Sequence, residues 1–162
     1  MFEIPVQLKV EFGSLGKKFF ALSRQYHPDY FVNSTEEVQQ DVLEKTAALN
    51  KAYKTFQDPD ETIRYVLKMK GLLEEEEKYQ LAPEFLMEVL DINEKLMDAE
   101  DAETRNGLHL DIGTLEHSIY EPVKEIVEGY REGITTEKEL LQVKEYYYQK
   151  KYLKRMAEVE GI

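Results

Sequence analysis

Histidines and carboxylates are the side chains of this chain that could do chemistry. The imidazoles are those of His27, His109 and His117, and the chain has 33 Asp and Glu residues but no Cys. His109 and His117 have no partner at a spacing typical of metal ligands. Without Cys, neither a thiol nucleophile nor a Cys-based zinc site can form. We therefore predict no catalytic residue, metal site or cofactor, since acid–base catalysis would also need a pocket with shifted pKa values.

The tripeptide His27-Pro28-Asp29 is the most informative group of such residues. It closes a predicted helix that carries three basic residues, Lys17, Lys18 and Arg24. The tripeptide alone is a weak motif, because a local structural function also accounts for it. In that interpretation His27 interacts with the helix dipole, Pro28 ends the helix and Asp29 begins the turn. The neighbouring elements must decide whether the tripeptide has only this local function or also forms a functional site.

Three helices are predicted around this tripeptide. Apolar residues at helical spacing predict a first helix over residues 14–26, which Pro28 ends. Ser34 and Glu37 have the spacing of a capping box, which predicts a second helix from there to about residue 56. Asp58-Pro59 predicts the start of a short third helix, and Gly71 its end. The result is a helical hairpin followed by a short helix.

The segment after Gly71 is predicted to be a linker. It contains four consecutive glutamates that would repel one another, at residues 74–77. We therefore expect a domain over residues 1–71, a linker over 72–82 and a second domain over 83–162. The fold class predicted is all-α, because no segment alternates apolar and polar residues over the length of a strand.

The second domain is predicted to be a three-helix bundle. Its helices would cover residues 83–103, 111–130 and about 136–160, with a loop around Asn106-Gly107. Pro122 should kink the middle helix. Thr136 and Glu139 form a capping box at the start of the last helix.

Charge is distributed unequally between the two halves. Residues 1–70 hold 10 acidic and 10 basic residues, whereas residues 71–162 hold 23 acidic and 11 basic ones, which gives the whole net charge of −12. Nucleic acid and anionic membranes would be repelled by the acidic second half, and neither is predicted to bind. No apolar run reaches the roughly 18 residues of a membrane span, and residues 1–12 lack the features of a signal peptide. We expect a cytoplasmic protein.

The first helix of the second domain has two apolar sides. One predicted core stripe consists of Phe85, Val89, Ile92, Leu96 and Ala99. The opposite side carries apolar residues edged by carboxylates, namely Leu86, Met87, Leu90 and Met97 with Asp91, Glu94 and Asp98. Such a patch is typical of a partner site, although burial of both sides in a wider bundle is the alternative.

The last helix is double-sided in the same way. One side carries Leu140, Val143, Tyr146, Tyr147 and Leu153, and the other carries Leu141, Tyr148, Tyr152 and Met156. The sequence does not distinguish the core side from the exposed one.

Two blocks of sequence resemble a known family. A basic amphipathic helix ends in RQYHPD (residues 24–29), and the next helix contains LNKAY (residues 49–53), which is similar to the J-domain of DnaJ-class proteins. FLME (residues 85–88), with Leu90, Asp91 and Glu94, resembles the C-terminal domain of the HscB family, the J-domain co-chaperones of iron–sulfur cluster assembly. The resemblance covers nearly the whole chain and is to the bacterial type, since the zinc-binding Cys pairs of some eukaryotic members are absent.

The resemblance implies a co-chaperone without catalytic activity of its own. It implies that the first domain docks on a DnaK-class, HscA-like ATPase chaperone through Lys17, Lys18, Arg24, His27, Pro28 and Asp29. It implies that the second domain binds an IscU-like iron–sulfur scaffold through Leu86, Met87, Leu90, Asp91, Glu94 and Tyr148. Alternatives are a general J-protein with other clients and a small hydrolase that uses His27 and Asp29.

The chain departs from the family at two places. Its N-terminal stretch, Phe2 to Pro5, is abbreviated, which predicts that the first J-domain helix is short or absent. Tyr30 stands where many J-domains have Lys or Arg. Both features bear on the strength of chaperone docking.

Overall fold

The structure, a computed structural model, describes residues 2–99 and 101–160. These residues form α-helices and short 3₁₀ helices without any strand, which confirms the predicted fold class. The α-helices are α1 (Phe12–Gln25), α2 (Glu36–Gln57), α3 (Pro59–Met69), α4 (Pro83–Met97), α5 (Ala102–Tyr120), α6 (Lys124–Gly129) and α7 (Glu137–Glu160). The 3₁₀ helices are Pro28–Phe31 and Glu121–Val123. Within this part of the chain, no helix is long and apolar enough to cross a membrane.

The chain divides into two compact units between Val66 and Leu67. The division falls inside α3 rather than at Gly71, where the sequence predicts it. Leu67, in the last turn of α3, is fully buried, and its carbonyl accepts a hydrogen bond from the Leu72 amide at 2.9 Å. The end of α3 and the segment that follows it therefore belong to the C-terminal unit. Gly71 has a φ of +71°, a conformation that glycine adopts without strain, so it ends α3 as predicted.

The N-terminal unit is built on the hairpin of α1 and α2. Leu15 of α1 and Leu49 of α2 are almost fully buried together with Phe2, and the rings of Phe19 and Tyr53 stack at 3.9 Å. Residues 2–10 contain no helix, as the abbreviated N-terminal stretch predicts. This small core fixes α1 against α2, so it also fixes the turn between them.

The helix starts in this unit differ in part from the predictions. Helix α1 begins at Phe12, two residues early, because the Glu11 carboxylate accepts hydrogen bonds from the amides of Gly13 and Ser14. The predicted capping box of Ser34 and Glu37 is wrong. The residue before α2 is Thr35, which makes no side-chain cap bond, and the Ser34 carbonyl instead accepts a hydrogen bond from the Gln39 side chain at 3.0 Å.

The start of α3 agrees with its prediction. Oδ1 of Asp58 accepts hydrogen bonds from the amides of Asp60 at 2.8 Å and Glu61 at 3.3 Å, and Pro59 is the first helical residue. Proline at this position sacrifices no helical hydrogen bond, because the first amide of a helix has no intrahelical acceptor.

The connection between α4 and α5 corrects two predictions. Helix α4 ends at Met97 rather than at about residue 103, and Asn106-Gly107 lies inside α5 instead of in a loop. The cause is the side chain of Asp101, which accepts hydrogen bonds from the amide and the hydroxyl of Thr104 at 2.7 and 2.9 Å. This cap starts α5 before the glycine, so the predicted helix over 111–130 begins nine residues earlier, at Ala102.

The rest of the C-terminal unit follows its predictions more closely. Pro122 lies in the 3₁₀ helix that separates α5 from α6, so it interrupts the middle helix as expected. The capping box before α7 is formed: the Thr136 amide donates to Glu139 at 2.7 Å, and the Glu139 amide donates to the Thr136 hydroxyl at 3.3 Å. Helices α4, α5 and α7 share one core, which includes Val89, Leu108, Ile112, Leu115, Leu153 and Met156.

Candidate functional site

The tripeptide His27-Pro28-Asp29 forms an exposed turn at the end of α1. Nδ1 of His27 accepts a hydrogen bond from the Asp29 amide at 3.3 Å and lies 3.6 Å from Oδ2 of Asp29. The side chains of His27 and Asp29 are 51% and 82% exposed. A hydrogen bond from the Thr46 hydroxyl of α2 to the Tyr26 carbonyl, at 2.9 Å, attaches the start of the turn to α2. The local capping function of His27 is therefore present, yet both polar side chains remain accessible to a partner.

Basic residues of α1 extend this surface unequally. Lys17 and Arg24 are exposed and lie seven residues apart, on the same side of the helix, with the exposed Phe20 between them. Lys18 is half-buried, and its ammonium group donates a hydrogen bond to the Glu3 carbonyl at 2.8 Å. The structure thus leaves two of the three predicted basic residues fully available and holds Lys18 against the N-terminal segment.

Tyr30 completes the turn. It is strongly exposed, and its ring centroid lies 5.8 Å from that of His27. An aromatic ring therefore lies beside the imidazole in this turn.

The described residues show no cluster of side chains suited to a metal ion. Residues 2–99 and 101–160 contain no group of three or more His, Asp or Glu side chains placed to hold an ion. His117 lies 3.6 Å from Glu121, one turn along the chain from it, in an exposed position. This is an ordinary helix-surface pair.

The two sides of α4 are separated as the sequence predicts. The core stripe of Phe85, Val89, Ile92, Leu96 and Ala99 is buried. On the other side Leu86 is 39%, Met87 72% and Leu90 57% exposed, with Met97 exposed further along. The alternative in which both sides are buried is therefore wrong for this chain. We call Leu86, Met87 and Leu90 the α4 face.

Carboxylates edge the α4 face. Asp91 and Glu94 are exposed, and Asp91 pairs with Lys95 one turn later at 2.6 Å. The Asp91 hydrogen bond raises the pKa of Lys95, so this lysine stays charged and partly neutralises Asp91. Glu94 and Asp98 keep the rim acidic, which favours a partner with basic groups around an apolar centre.

The sides of α7 are also resolved. Leu140, Val143, Tyr146, Tyr147 and Leu153 are buried, so this is the core side. Met156 joins the core as well, although it was grouped with the opposite side. Leu141 and Tyr152 are exposed, whereas Tyr148 is half-buried.

Tyr148 is half-buried because the predicted linker packs on it. The rings of Tyr79 and Tyr148 stack at 4.4 Å with an interplanar angle of 2°. The Glu77 carboxylate accepts hydrogen bonds from Lys144 at 2.5 Å and from the Tyr148 hydroxyl at 3.3 Å. The Tyr79 hydroxyl donates to Glu145, and this bond adds to burial in raising the pKa of Tyr79. The segment 77–82 is therefore attached to α7 rather than free.

Replacing Glu77 by Gln should lower the free energy of unfolding by about 1 kcal/mol at pH 7, between the values for exposed and for buried ion pairs. The side chains of Lys144 and Glu77 are only 12% and 24% exposed, and the Lys144 hydrogen bond holds the pKa of Glu77 below its ordinary 4.5. A lowered pKa stabilises the folded state above the unfolded pKa, and this contribution is lost as the pH falls through the folded value. Urea unfolding should therefore show a difference that is present at pH 7 and closes as the pH falls below 4.5, the ordinary pKa of a glutamate.

A matched control for this variant is Glu75→Gln. Glu75 lies two residues before Glu77 and pairs with Lys68 of α3, but its side chain is 76% exposed. Its replacement should change the free energy of unfolding by less than about 0.5 kcal/mol. If Glu77→Gln lowers the free energy of unfolding equally at pH 7 and at a pH well below 4.5, the ion-pair explanation is contradicted.

Sequence reasoning missed the contribution of the segment 77–82. Its contacts join residues that lie 66 or 67 positions apart, such as Tyr79 with Glu145 and Glu77 with Lys144. The one available signal was Tyr79 itself, a large aromatic residue two positions after the run of glutamates.

Comparisons with known proteins find similarity to HscB proteins, most directly in the C-terminal unit. Residues 81–159 match the family model of the HSCB C-terminal oligomerisation domain. The co-chaperone protein HscB homolog of Photobacterium profundum is 32% identical over 103 residues, which are 63% of this chain and 60% of that protein. The homolog of Vibrio cholerae is also 32% identical, over 59% of this chain and 57% of its own length. The chain thus matches about three fifths of the length of these curated relatives.

Solved structures agree in fold over nearly all of the chain. The crystal structure of human co-chaperone protein HscB has a TM-score of 0.80 at 22% identity, with 99% of this chain and 78% of that chain covered. The chaperone HscB from Vibrio cholerae has a TM-score of 0.64 at 22% identity, with 97% and 94% covered. Residues 81–159 are therefore similar in sequence to the HSCB C-terminal domain, and the chain is similar in fold to HscB structures over nearly all of its length.

Proposed function

We propose that the chain is a co-chaperone of iron–sulfur cluster assembly. In this proposal its N-terminal unit docks on a DnaK-class, HscA-like ATPase chaperone in the cytoplasm. Its C-terminal unit presents an IscU-like scaffold protein, the client, to that chaperone. The curated relatives are themselves named co-chaperones, which supports this class of function.

The observation that carries the proposal is the exposed turn of His27, Pro28 and Asp29. Its polar side chains are accessible, and the α1–α2 hairpin fixes their position. Lys17 and Arg24 add positive charge on the exposed side of α1, so an acidic surface on the chaperone would complement them. Lys18 would contribute less, because the Glu3 carbonyl already binds its ammonium group.

The client would bind the α4 face. This face combines exposed apolar side chains with an acidic rim that includes Asp91 and Glu94. Apolar residues at the centre of an interface carry most of the binding energy, whereas rim charges act more on specificity and association rate. The two functions would thus be divided between the two units of the chain.

Two other functions remain to be separated from this one. A general J-protein would use the same turn but would bring other clients to the chaperone. A small hydrolase would use His27 and Asp29 directly, yet both lie on an exposed turn, where water would solvate a developing charge instead of preorganised groups.

Single-turnover ATP hydrolysis by the host's DnaK-class chaperone distinguishes the three functions. The full chain should accelerate hydrolysis, and the host's own iron–sulfur scaffold should raise that acceleration further. Addition of salt should weaken the stimulation because Lys17 and Arg24 act electrostatically.

A general J-protein would show no preference for the scaffold over an unrelated unfolded client. Hydrolysis of ester or phosphate substrates by the chain alone would favour the hydrolase. Stimulation that is indifferent to salt would remove Lys17 and Arg24 from the docking surface.

A further inference from the structure

A groove in the C-terminal unit lies between α7 and the junction of α5 with the 3₁₀ helix Glu121–Val123. Its volume is about 490 Å³, which falls within the range of small-molecule sites. Its apolar and aromatic lining consists of Ile119, Pro122, Val123 and Tyr146, and its polar lining of Ser118, Gln142, Glu145 and Gln149. All of these residues lie on α5, the 3₁₀ helix or α7, so the groove is separate from the α4 face.

Glu145 is the charged side chain of this groove, and it is half-buried. Its carboxylate accepts hydrogen bonds from the Tyr79 hydroxyl, from the Ala82 amide at 3.4 Å and from the Gln149 side chain at 3.3 Å. These three described donors are neutral, and the last two bonds are long. A carboxylate offers about four acceptor positions, so one position and the negative charge remain for a ligand.

The other polar groups of the groove also offer acceptors. The Ser118 hydroxyl donates to the Leu115 carbonyl at 2.8 Å, so its oxygen is left to accept. Gln149 uses its side-chain nitrogen toward Glu145, so its side-chain oxygen is left to accept as well. Gln142 lies one turn before Glu145 on α7 and offers a further carbonyl oxygen. A ligand with several N–H donors suits such a lining better than an anion does.

The apolar lining determines the body of that ligand. Val123 and Tyr146 are buried, and Ile119 is half-buried, so these side chains favour contact with methylene groups over contact with water. Gln142 and Gln149 are seven residues apart, so the groove follows α7 for two turns, about 10 Å. A linear ligand therefore fits this shape better than a compact one.

We propose that this groove binds a linear aliphatic polyamine, with one ammonium group on Glu145 and the methylene chain on the apolar lining. The net charge of −12 arises from residues 71–162, and it raises the local concentration of such cations. The groove then gives the bound amine a defined position. This site is independent of the proposed docking of chaperone and client, so it can be tested on the chain alone.

NMR titration of the isotope-labelled full chain with putrescine, a linear diamine, at low ionic strength tests this inference. Resonances of residues 118–123 and 142–149 should shift to saturation with a Kd below about 1 mM. Added salt should weaken binding, because the contact with Glu145 is electrostatic. Butanediol has the length of putrescine without its charge, and methylamine has a charge without the chain. Each should bind at least about tenfold more weakly than putrescine.

Ser118→Arg and Glu145→Gln should each weaken putrescine binding at least about tenfold. Ser118 is exposed in the last turn of α5, so arginine there brings a competing guanidinium group to Glu145 without entering the core. Glu137→Gln is the matched control, because it removes the same charge from an exposed position of α7 outside the groove. Glu77→Gln is a second control, because it loosens the segment attached to α7 without changing the groove. Both controls should bind putrescine as the wild type does.

Three results would overturn the inference. The first is an absence of saturable binding to the wild type. The second is a set of shifts spread over the acidic residues of the whole unit, with Glu145→Gln and Glu137→Gln equal in effect, because this indicates only a counterion effect. The third is binding of Nα-acetyl-lysine amide about tenfold tighter than that of putrescine, since the groove would then recognise a lysine side chain of a protein. If Glu145→Gln fails to fold by urea unfolding, Ser118→Arg decides the test, because it leaves the described contacts of Glu145 in place.

Discussion

Replacing His27 by Gln should abolish stimulation of the chaperone's ATPase while the melting temperature changes by less than about 3 °C. His27 is half-exposed and takes no part in the apolar core of its unit, which consists of Phe2, Leu15 and Leu49 with their neighbours. The one described hydrogen bond of its side chain, accepted from the Asp29 amide at 3.3 Å, is long, and the oxygen of Gln can accept it in turn. The change therefore removes the imidazole without removing a fold-stabilising contact.

The control for this variant is His109→Gln. His109 is an exposed histidine on α5, in the other unit of the chain, so its replacement should leave stimulation at the wild-type level. Both variants are measured by single-turnover ATP hydrolysis and by thermal unfolding. Full stimulation by the His27 variant would contradict the proposed docking of this turn on the chaperone.

The triple variant Leu86→Ala, Met87→Ala and Leu90→Ala should lose client binding by about 100-fold or more. Its free energy of unfolding should change by less than about 0.5 kcal/mol per site, because these side chains are 39% to 72% exposed. Alanine also has the highest helix propensity, so α4 itself should not be weakened. The expected result is a large loss of binding at nearly constant stability.

Leu96→Ala provides the matched comparison for this variant. Leu96 is on the core side of the same helix and is only 6% exposed, so its truncation should cost about 2–5 kcal/mol through lost burial and a residual cavity. Urea unfolding separates the two cases. If the triple variant loses stability as Leu96→Ala does, the α4 face is part of the core and not a client site.

Local patterns were enough to predict several of these elements. The buried stripe of α4 follows from its period of 3.6 residues, and the capping box of Thr136 and Glu139 needs only two residues three positions apart. The exposed turn at His27 follows from Pro28, which ends α1 in any context. Each of these features depends on residues within one or two helical turns.

Features that depend on distant residues were not predicted. Asn106-Gly107 is helical because Asp101 caps α5 and because Leu108, Ile112 and Leu115 are buried, which outweighs the low helix propensity of glycine. Lys18 donates a hydrogen bond to the Glu3 carbonyl, 15 residues away. Its position on α1 alone therefore does not show that its ammonium group is already engaged.

The segment 72–82 was mistaken for a linker for the same reason. The run of glutamates suggested repulsion, whereas Glu77 has its cation, Lys144, 67 residues further along the chain. A run of like charges indicates an unattached segment only when no residue of the other charge packs against it in the folded chain.

Helix α5 contains two glycines, Gly107 and Gly113, at exposed positions where an added methyl group would meet no other atom within 4 Å. Each glycine costs a helix about 0.5–1 kcal/mol relative to alanine, so α5 is the helix of the bundle that relies most on burial and least on its own backbone preference. Alanine at either position should therefore make the C-terminal unit more resistant to heat. Thermostable forms of this chain can be sought at these two positions, away from every surface assigned to a partner.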